Sequence, residues 1–327
     1  MSNFFKRIIL YLSIGVILTM IPLYYMNNIL FSSASPTSTA DQENKVSYKL
    51  KSSLPAAAAH PYFLYDHQHI SYVENGILNI KDLSSDAVVK QLQEDDPIIY
   101  AFPLNDRNII IYFTYDDSQI DIKNYNFDKD EKADQLSINV KNVSKIKHAK
   151  YSSLTNLLYL DVETSVNNKT SDKIYKVTIM KNLYPFANND NIVAMELLSN
   201  KDLLIYQDEL GNVMINGQAF RHENYTKFKL LGIDGSDTVY LAPVNNPLEV
   251  IMLKDDNVLG SKQLTDVNYI STLSQGDHVY LIYKNHVLDL VSGSDYPIDE
   301  DIQVLDLYNG YLFYETADRQ LKAEKLS

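Results

Sequence analysis

Two short constellations in this 327-residue chain hold side chains that could do chemistry. In DHQH, residues 66–69, strand alternation would put His67 and His69 on one face beside Asp66, a spacing that a metal ion can use, and His60 lies nearby in sequence. Two histidines facing solvent at a strand end satisfy the same pattern, and that is the arrangement expected here. In DKDEKAD, residues 128–134, alternate oxygen-bearing side chains have the look of a calcium loop. The central glycine is missing, Lys132 stands where a ligand belongs, and no glutamate is placed to close the coordination shell. The stretch reads as a solvated loop between structural units, as do the acidic clusters at 94–96 and 299–301.

Other chemistries leave no signal. There is no cysteine, which excludes disulfides, thiolate catalysis and Cys-ligated zinc. No Gly-x-Ser-x-Gly elbow, His-Glu-x-x-His helix or phosphate-cradling glycine loop occurs. With 42 acidic residues many carboxylates must lie near one another, so a glycosidase-type pair cannot be picked out by sequence. The Asn-x-Ser/Thr triplets at Asn142, Asn168 and Asn224 are no more than an Asn-rich chain yields by chance. No catalytic, cofactor-binding or metal-binding residue is assigned, and no cofactor is implied.

The elements that would position any site are strands. Beyond residue 45, apolar runs of four to six residues alternate with Asn, Asp, Ser, Gly and Lys, whereas helical spacing is scarce; PAAAAH at 55–60 is the one helix-friendly string and is too short to stand alone. Seven segments share one shape, an apolar run containing a tyrosine, a polar turn and an alternating run. The tyrosines that align them are Tyr65, Tyr112, Tyr159, Tyr206, Tyr240, Tyr283 and Tyr314, with Tyr280 an equal choice for the sixth. A further strand precedes six of these hairpins: IIYAF, IKHAKY, VAMELL, FKLLGI, NYISTL and IQVLDL. A weaker fourth strand is visible between units, as in AVVKQL and LSINV. The aligned tyrosines are expected to pack in the core or between units, with the hydroxyl reaching a partner at the rim.

Repetition of a three- to four-stranded antiparallel unit about every 40 residues resembles the β-propeller repeat proteins in general, over residues 46–327. No Trp-Asp signature accompanies it, since the chain has no tryptophan, and 10 glycines are few for such a fold. The resemblance implies an all-β domain over 45–327 with about seven blades. Two β-sandwich domains, divided near 182–191, are the alternative. The last segment, GYLFYETADRQLKAEKLS, reads as the hairpin of a final unit that owns three strands; residues 45–50 are expected to supply its outer strand, or else the innermost strand of the first unit.

Ahead of the repeats, Lys6 and Arg7 precede an uncharged run at 8–26, about 28 Å long as a helix. Residues 1–7 are therefore expected in the cytoplasm, 8–31 as a transmembrane signal-anchor and 32–44 as a flexible linker, with the C-terminal domain outside the cell membrane. Secretion after signal cleavage near Ser32–Ala34 is the alternative. The first 40 residues contain no acid, so of 29 basic and 42 acidic residues all but Lys6 and Arg7 lie beyond them, a net of −15. Such a field repels nucleic acid and suits a basic protein partner. The function expected is a protein-binding or assembly platform in the cell envelope without activity of its own; a carbohydrate-binding or glycan-cleaving propeller is the alternative.

Overall fold

The apolar runs are strands because each is covered on both sides. IIIYFTY at Ile109–Tyr115 is buried through its whole middle, and VYLAP at Val239–Pro243 is buried throughout. A strand in a sheet with only one covered face would alternate instead. The protein, here a computed structural model, describes residues 48 and 50–326 except 179–181, 190, 199, 216, 224, 256, 300 and 301. Residues from Tyr48 onward form one compact unit. The expected signal-anchor and linker, and the cytoplasmic stretch before them, lie outside the described residues.

Seven antiparallel sheets follow one another, each a meander in chain order. Blade 1 is β1 (Ala59–Phe63), β2 (His69–Glu74), β3 (Ile77–Asp82) and β4 (Val88–Leu92); blade 2 is β5 (Ile98–Pro103), β6 (Ile109–Tyr115), β7 (Gln119–Asn126) and β8 (Glu131–Asn139). Blade 3 comprises β9 (Val143–Ser152), β10 (Leu157–Val166), β11 (Lys169–Val177) and β12 (Leu183–Asn189), and blade 4 β13 (Ile192–Leu197), β14 (Leu204–Asp208), β15 (Val213–Ile215) and β16 (Gln218–Ala219). Blade 5 is β17 (Phe228–Ile233), β18 (Val239–Pro243), β19 (Glu249–Lys254) and β20 (Asn257–Gln263); blade 6 is β21 (Ser271–Gln275), β22 (His278–Ile282), β23 (His286–Asp289) and β24 (Asp295–Pro297). Blade 7 has three described strands, β25 (Gln303–Tyr308), β26 (Tyr311–Glu315) and β27 (Leu321–Lys325). First strands contact one another in succession, from β1 to β5 and onward to β25, which returns to β1. The ring is a seven-bladed β-propeller.

Among the described residues, seven apolar clusters fill the seven interfaces. Within β6, Ile110 and Tyr112 join the cluster shared with blade 1 while Ile111 and Phe113 join the one shared with blade 3. In β18, Val239 and Leu241 face blade 4, and Tyr240 and Ala242 face blade 6. The period-2 geometry of a strand thus feeds two interfaces at once. Outer strands are wet on their edges: β20 and β27 are mostly exposed. Close approach matters at Gly232, φ +154°, where an added Cβ would meet Ser274 Oγ at 2.3 Å and Val279 Cγ1 at 2.9 Å across the blade 5–6 interface. Several corners elsewhere use Asn or Asp in the left-handed region. Asn75-Gly76 turns β2 into β3, Asn167-Asn168 turns β10 into β11, and Asn309-Gly310 turns β25 into β26.

The first repeat is shifted from the sequence alignment. Tyr65 falls in the loop after β1 and is 45 % exposed, whereas Tyr72 of β2, 2 % exposed, occupies the place of Tyr112, Tyr159, Tyr206, Tyr240 and Tyr314 in their second strands. PYFLY was an inner strand with its loop, and its tyrosine mimicked the pattern. Tyr283 lies one residue past β22, which carries Tyr280. Residues 182–191, the boundary required by two sandwiches, instead carry the outer strand of blade 3 and lead into blade 4, so the sandwich alternative fails. PAAAAH makes a turn, Ala58 N donating to Pro55 O at 3.0 Å, before entering β1. DKDEKAD turns β7 into β8 within blade 2 rather than linking blades, and its Asp130 accepts from Tyr125 Oη at 2.8 Å.

Closure runs through the residues just before blade 1. Leu321 N donates to Ser52 O at 2.8 Å and Leu54 N to Arg319 O at 2.9 Å, a bridge on the outer edge of β27. On its other side this segment holds blade 1, with Lys51 N on Leu83 O at 3.0 Å and Lys81 Nζ on Ser53 O at 2.7 Å. Tyr48 packs edge-on against Tyr311 and Phe313. The described pairing therefore centres on 52–54, a few residues beyond the stretch expected from sequence; 45–47 and 49 lie outside the described residues.

Glu94 corrects the reading of its acidic cluster as loop solvation. Burial disfavours its charge, but hydrogen bonds from Lys123 Nζ (2.8 Å), Lys132 Nζ (2.6 Å) and Tyr112 Oη (3.0 Å) outweigh that and hold the carboxyl at about 2, below its usual 4.5. A depressed folded-state value means that the stabilisation is complete above the unfolded value and is lost as pH falls toward about 2. Glu94→Gln is expected to lower stability at neutral pH by about 1–2 kcal/mol. It should also flatten the acid limb of a urea-denaturation series run from neutral pH downward. A chain truncated after Gly310 loses Phe313 and Leu321 from the cluster between blades 7 and 1; it is expected to lose the cooperative thermal transition of the whole domain, read by circular dichroism.

Candidate functional site

The DHQH residues do not converge. His69 Nδ1 bonds Asp66 Oδ2 at 2.8 Å, and that bond raises the imidazole above its ordinary value. His67, in a left-handed corner at φ +50°, points the other way. Its Nε2 meets Asp306 Oδ2 of β25 at 3.0 Å, its Nδ1 lies 3.1 Å from Tyr65 O, and its ring stacks on Tyr308 at 3.7 Å between centroids. Only 5 % of His67 is exposed, so it fastens the loop of blade 1 onto blade 7. Among the described residues no three His, Asp or Glu gather closely enough to hold a metal ion.

Instead, the first strands build a cavity of about 370 Å³ in the central channel, lined from blades 1, 2, 3, 6 and 7. It sits where β1, β5, β9 and β25 end. Blades 1 and 2 give it an aromatic half. Tyr62 and Tyr100 place their hydroxyls 3.0 Å apart, and His60 tilts against the Tyr100 ring. Burial pushes Tyr100 well above the usual phenol range, with the neighbouring Tyr62 adding to the effect, and burial lowers His60.

Blade 3 gives a polar half through β9, where the ladder to β10 is irregular beside Lys147 and both Lys147 and His148 line the cavity. Lys147 Nζ bonds Asp172 Oδ2 at 2.7 Å, His148 Nδ1 bonds Asp161 Oδ2 at 2.9 Å, and Lys150 Nζ bonds Glu196 Oε2 at 2.8 Å. Both aspartate side chains are fully buried. Burial raises the Asp161 carboxyl; the His148 bond offsets part of this and the charge of Asp172 adds to it. Cations at the channel wall are thus already paired with acids behind it.

At the other end of the channel, where β13, β17 and β21 begin, a groove of about 400 Å³ runs across blades 4, 5 and 6. Val193, Leu210, Val244 and Ile270 rim it, 48, 67, 56 and 68 % exposed. Its floor is fixed: Gln207 Oε1 accepts from Leu230 N at 2.7 Å, and Lys229 Nζ sits 3.9 Å from the centroid of Tyr269. Burial lowers the Lys229 ammonium.

No known protein-family profile matches the chain, and no curated protein sequence does. Solved structures match at the level of fold. The acylaminoacyl peptidase of Pyrococcus horikoshii aligns at 12 % identity and TM-score 0.56 over 82 % of this chain and 50 % of that one. This chain therefore spans about half the length of that peptidase. The β-propeller domain of the trilobed protease from Pyrococcus furiosus, described as having an open velcro topology, aligns at 12 % identity and TM-score 0.54 over 84 % of this chain and 96 % of the other. Hsv2 from Kluyveromyces marxianus aligns at 12 % identity and TM-score 0.52 over 83 % and 99 %. At such identities the likeness concerns the propeller alone.

Neither the cavity nor the groove was visible in sequence. Tyr62, Tyr100, His148 and Asp306 come from different blades, and single residues in separate first strands carry no spacing signal. The nearest clue was the basic character of IKHAKY, which became β9. Because Asp306 also accepts its own neighbour's amide, Leu307 N to Oδ1 at 2.7 Å, Asp306→Ala leaves two buried-side donors without partners. It is expected to cost about 1–3 kcal/mol of stability, measured by urea denaturation of the full chain, with Asp306→Asn losing less.

Proposed function

We propose that this chain is a single-pass membrane protein that displays its propeller outside the cytoplasmic membrane as a docking platform for another envelope protein. The observation that carries the reading is the groove across blades 4 to 6, where four aliphatic side chains between 48 and 68 % exposed rim one concavity. Apolar groups gathered in this way on a rigid scaffold mark association surfaces. Glu209 lies in the same groove, and the chain beyond residue 40 carries a net charge of −15, so the partner is one that presents aliphatic side chains flanked by basic ones. The uncharged run at 8–26 behind Lys6 and Arg7 supports the tether and its orientation.

A chain without cysteine permits a direct test by single substitution in full-length protein. Val88→Cys, on the outer strand of blade 1, is expected to react with a membrane-impermeant maleimide in intact cells. Leu210→Cys and Ile270→Cys should be shielded there and react once the protein is purified. Photocrosslinkers at the same two positions should yield one adduct, lost in a Val244→Glu background and weakened by salt. Labelling of Val88→Cys only after lysis overturns the location; equal labelling of all three sites in cells overturns the docking surface.

A further inference from the structure

The channel cavity lies at the opposite end from the groove, because the first strands all run the same way along the axis and the cavity gathers where they end. Its chemistry also differs. Two tyrosines stand at its mouth, Tyr62 at 36 % and Tyr65 at 45 % exposure, large aromatic surfaces that no interface cluster covers. The electron-rich face of such a ring attracts polarised C–H bonds as well as burying apolar area. When the Tyr62 and Tyr100 hydroxyls bond each other, one of the two protons lies between them and the other is left to donate outward. The side-chain amides of Asn105 and Gln275 also line the cavity and make no hydrogen bond to another described residue, and each offers both donors and an acceptor.

The charged groups at the wall are already matched. Lys147 is held by Asp172, Lys150 by Glu196, and Asp306 is bonded to His67, so a charged ligand would have to displace a partner already in place. What remains open is aromatic surface beside uncharged groups that both donate and accept. A pyranose has that complement, with a C–H face and hydroxyls that each donate and accept. A volume of about 370 Å³ is at the small end of ligand sites and suits the end of a glycan chain rather than a folded partner. From this geometry we infer that the cavity is a binding site for a neutral saccharide, with Tyr62 and Tyr65 stacking on the sugar and Tyr100, Asn105 and Gln275 reading its hydroxyls.

The test uses the full-length chain in a detergent without a sugar headgroup. Cellotetraose, chitotetraose, maltotetraose and, as the anionic control, tetragalacturonate are titrated by calorimetry and by saturation-transfer NMR. At least one neutral tetrasaccharide is expected to bind with millimolar affinity or better and more tightly than tetragalacturonate. Tyr65→Ala and Asn105→Ala, both on exposed loop positions that leave the core intact, should each weaken it about tenfold. Tyr100→Phe, which removes one oxygen, should weaken it severalfold, and Leu259→Asp, at a 59 % exposed position on the outer strand of blade 5, should leave it unchanged. Binding by none of the three neutral sugars overturns the assignment. So does binding that survives the Tyr65→Ala/Asn105→Ala double variant, or tightest binding by the uronate. The maleimide pattern at Leu210 and Ile270 is indifferent to each of these results, so the two sites succeed or fail separately.

Discussion

Every blade of this protein is a sheet with two apolar faces, and the need to cover both at once organises the rest. A single four-stranded meander would leave the side chains of its second strand in water on at least one side. Ile110 and Ile111 in β6 face opposite neighbours and both are buried, which is achieved only when blades stand on each side. An open row of such sheets would end in two bare faces. Bringing Phe313 and Leu321 of blade 7 against Phe63, Ile70 and Tyr72 of blade 1, with Leu54 across the seam, removes both. Burying each such side chain contributes about 1.5–3 kcal/mol, and the last interface exists only if all the others are in register.

Polar groups inside this frame serve geometry first. Tyrosines of the second strands run toward the rim and end on acceptors there: Tyr112 on Glu94, Tyr159 on Asp202 O at 3.1 Å, and Tyr240 on Asp234 Oδ2 at 3.0 Å. Asp234 in turn accepts the amides of Ser236 and Thr238 at 3.0 and 2.9 Å, so one carboxylate shapes a corner and anchors a ring. Corners of this kind explain how the propeller manages with 10 glycines. Most of its non-glycine residues with positive φ are Asn or Asp, whose short side chains tolerate the left-handed region and bond the backbone locally.

The same frame separates two surfaces that chemistry would otherwise confuse. Strand beginnings and strand ends emerge at opposite mouths of the channel, so the aliphatic groove and the aromatic cavity are divided by the propeller's thickness. Each is built from side chains that the interfaces did not consume. Behind the cavity two fully buried carboxylates hold side chains of β9 in place, Asp172 on Lys147 and Asp161 on His148.

Sequence by itself determined the repeating unit, the strand order within it and the radial role of the tyrosines, because strand periodicity and turn residues are local properties. IIYAF, FKLLGI and IQVLDL could be recognised as extra strands, and became β5, β17 and β25, for that reason. It misled where one local pattern had two readings: PYFLY copied the shape of a second strand, and the acid of Glu94 looked like any loop acid until Lys123 and Lys132 were brought to it. Only the tertiary structure decided which face of each strand met which neighbour, how the ring closed at Ser52–Leu54, and that His67 and Asp306, 239 residues apart, would meet. Contacts made by closing a ring depend on the sum of many small rotations between blades, and no single stretch of sequence contains that sum.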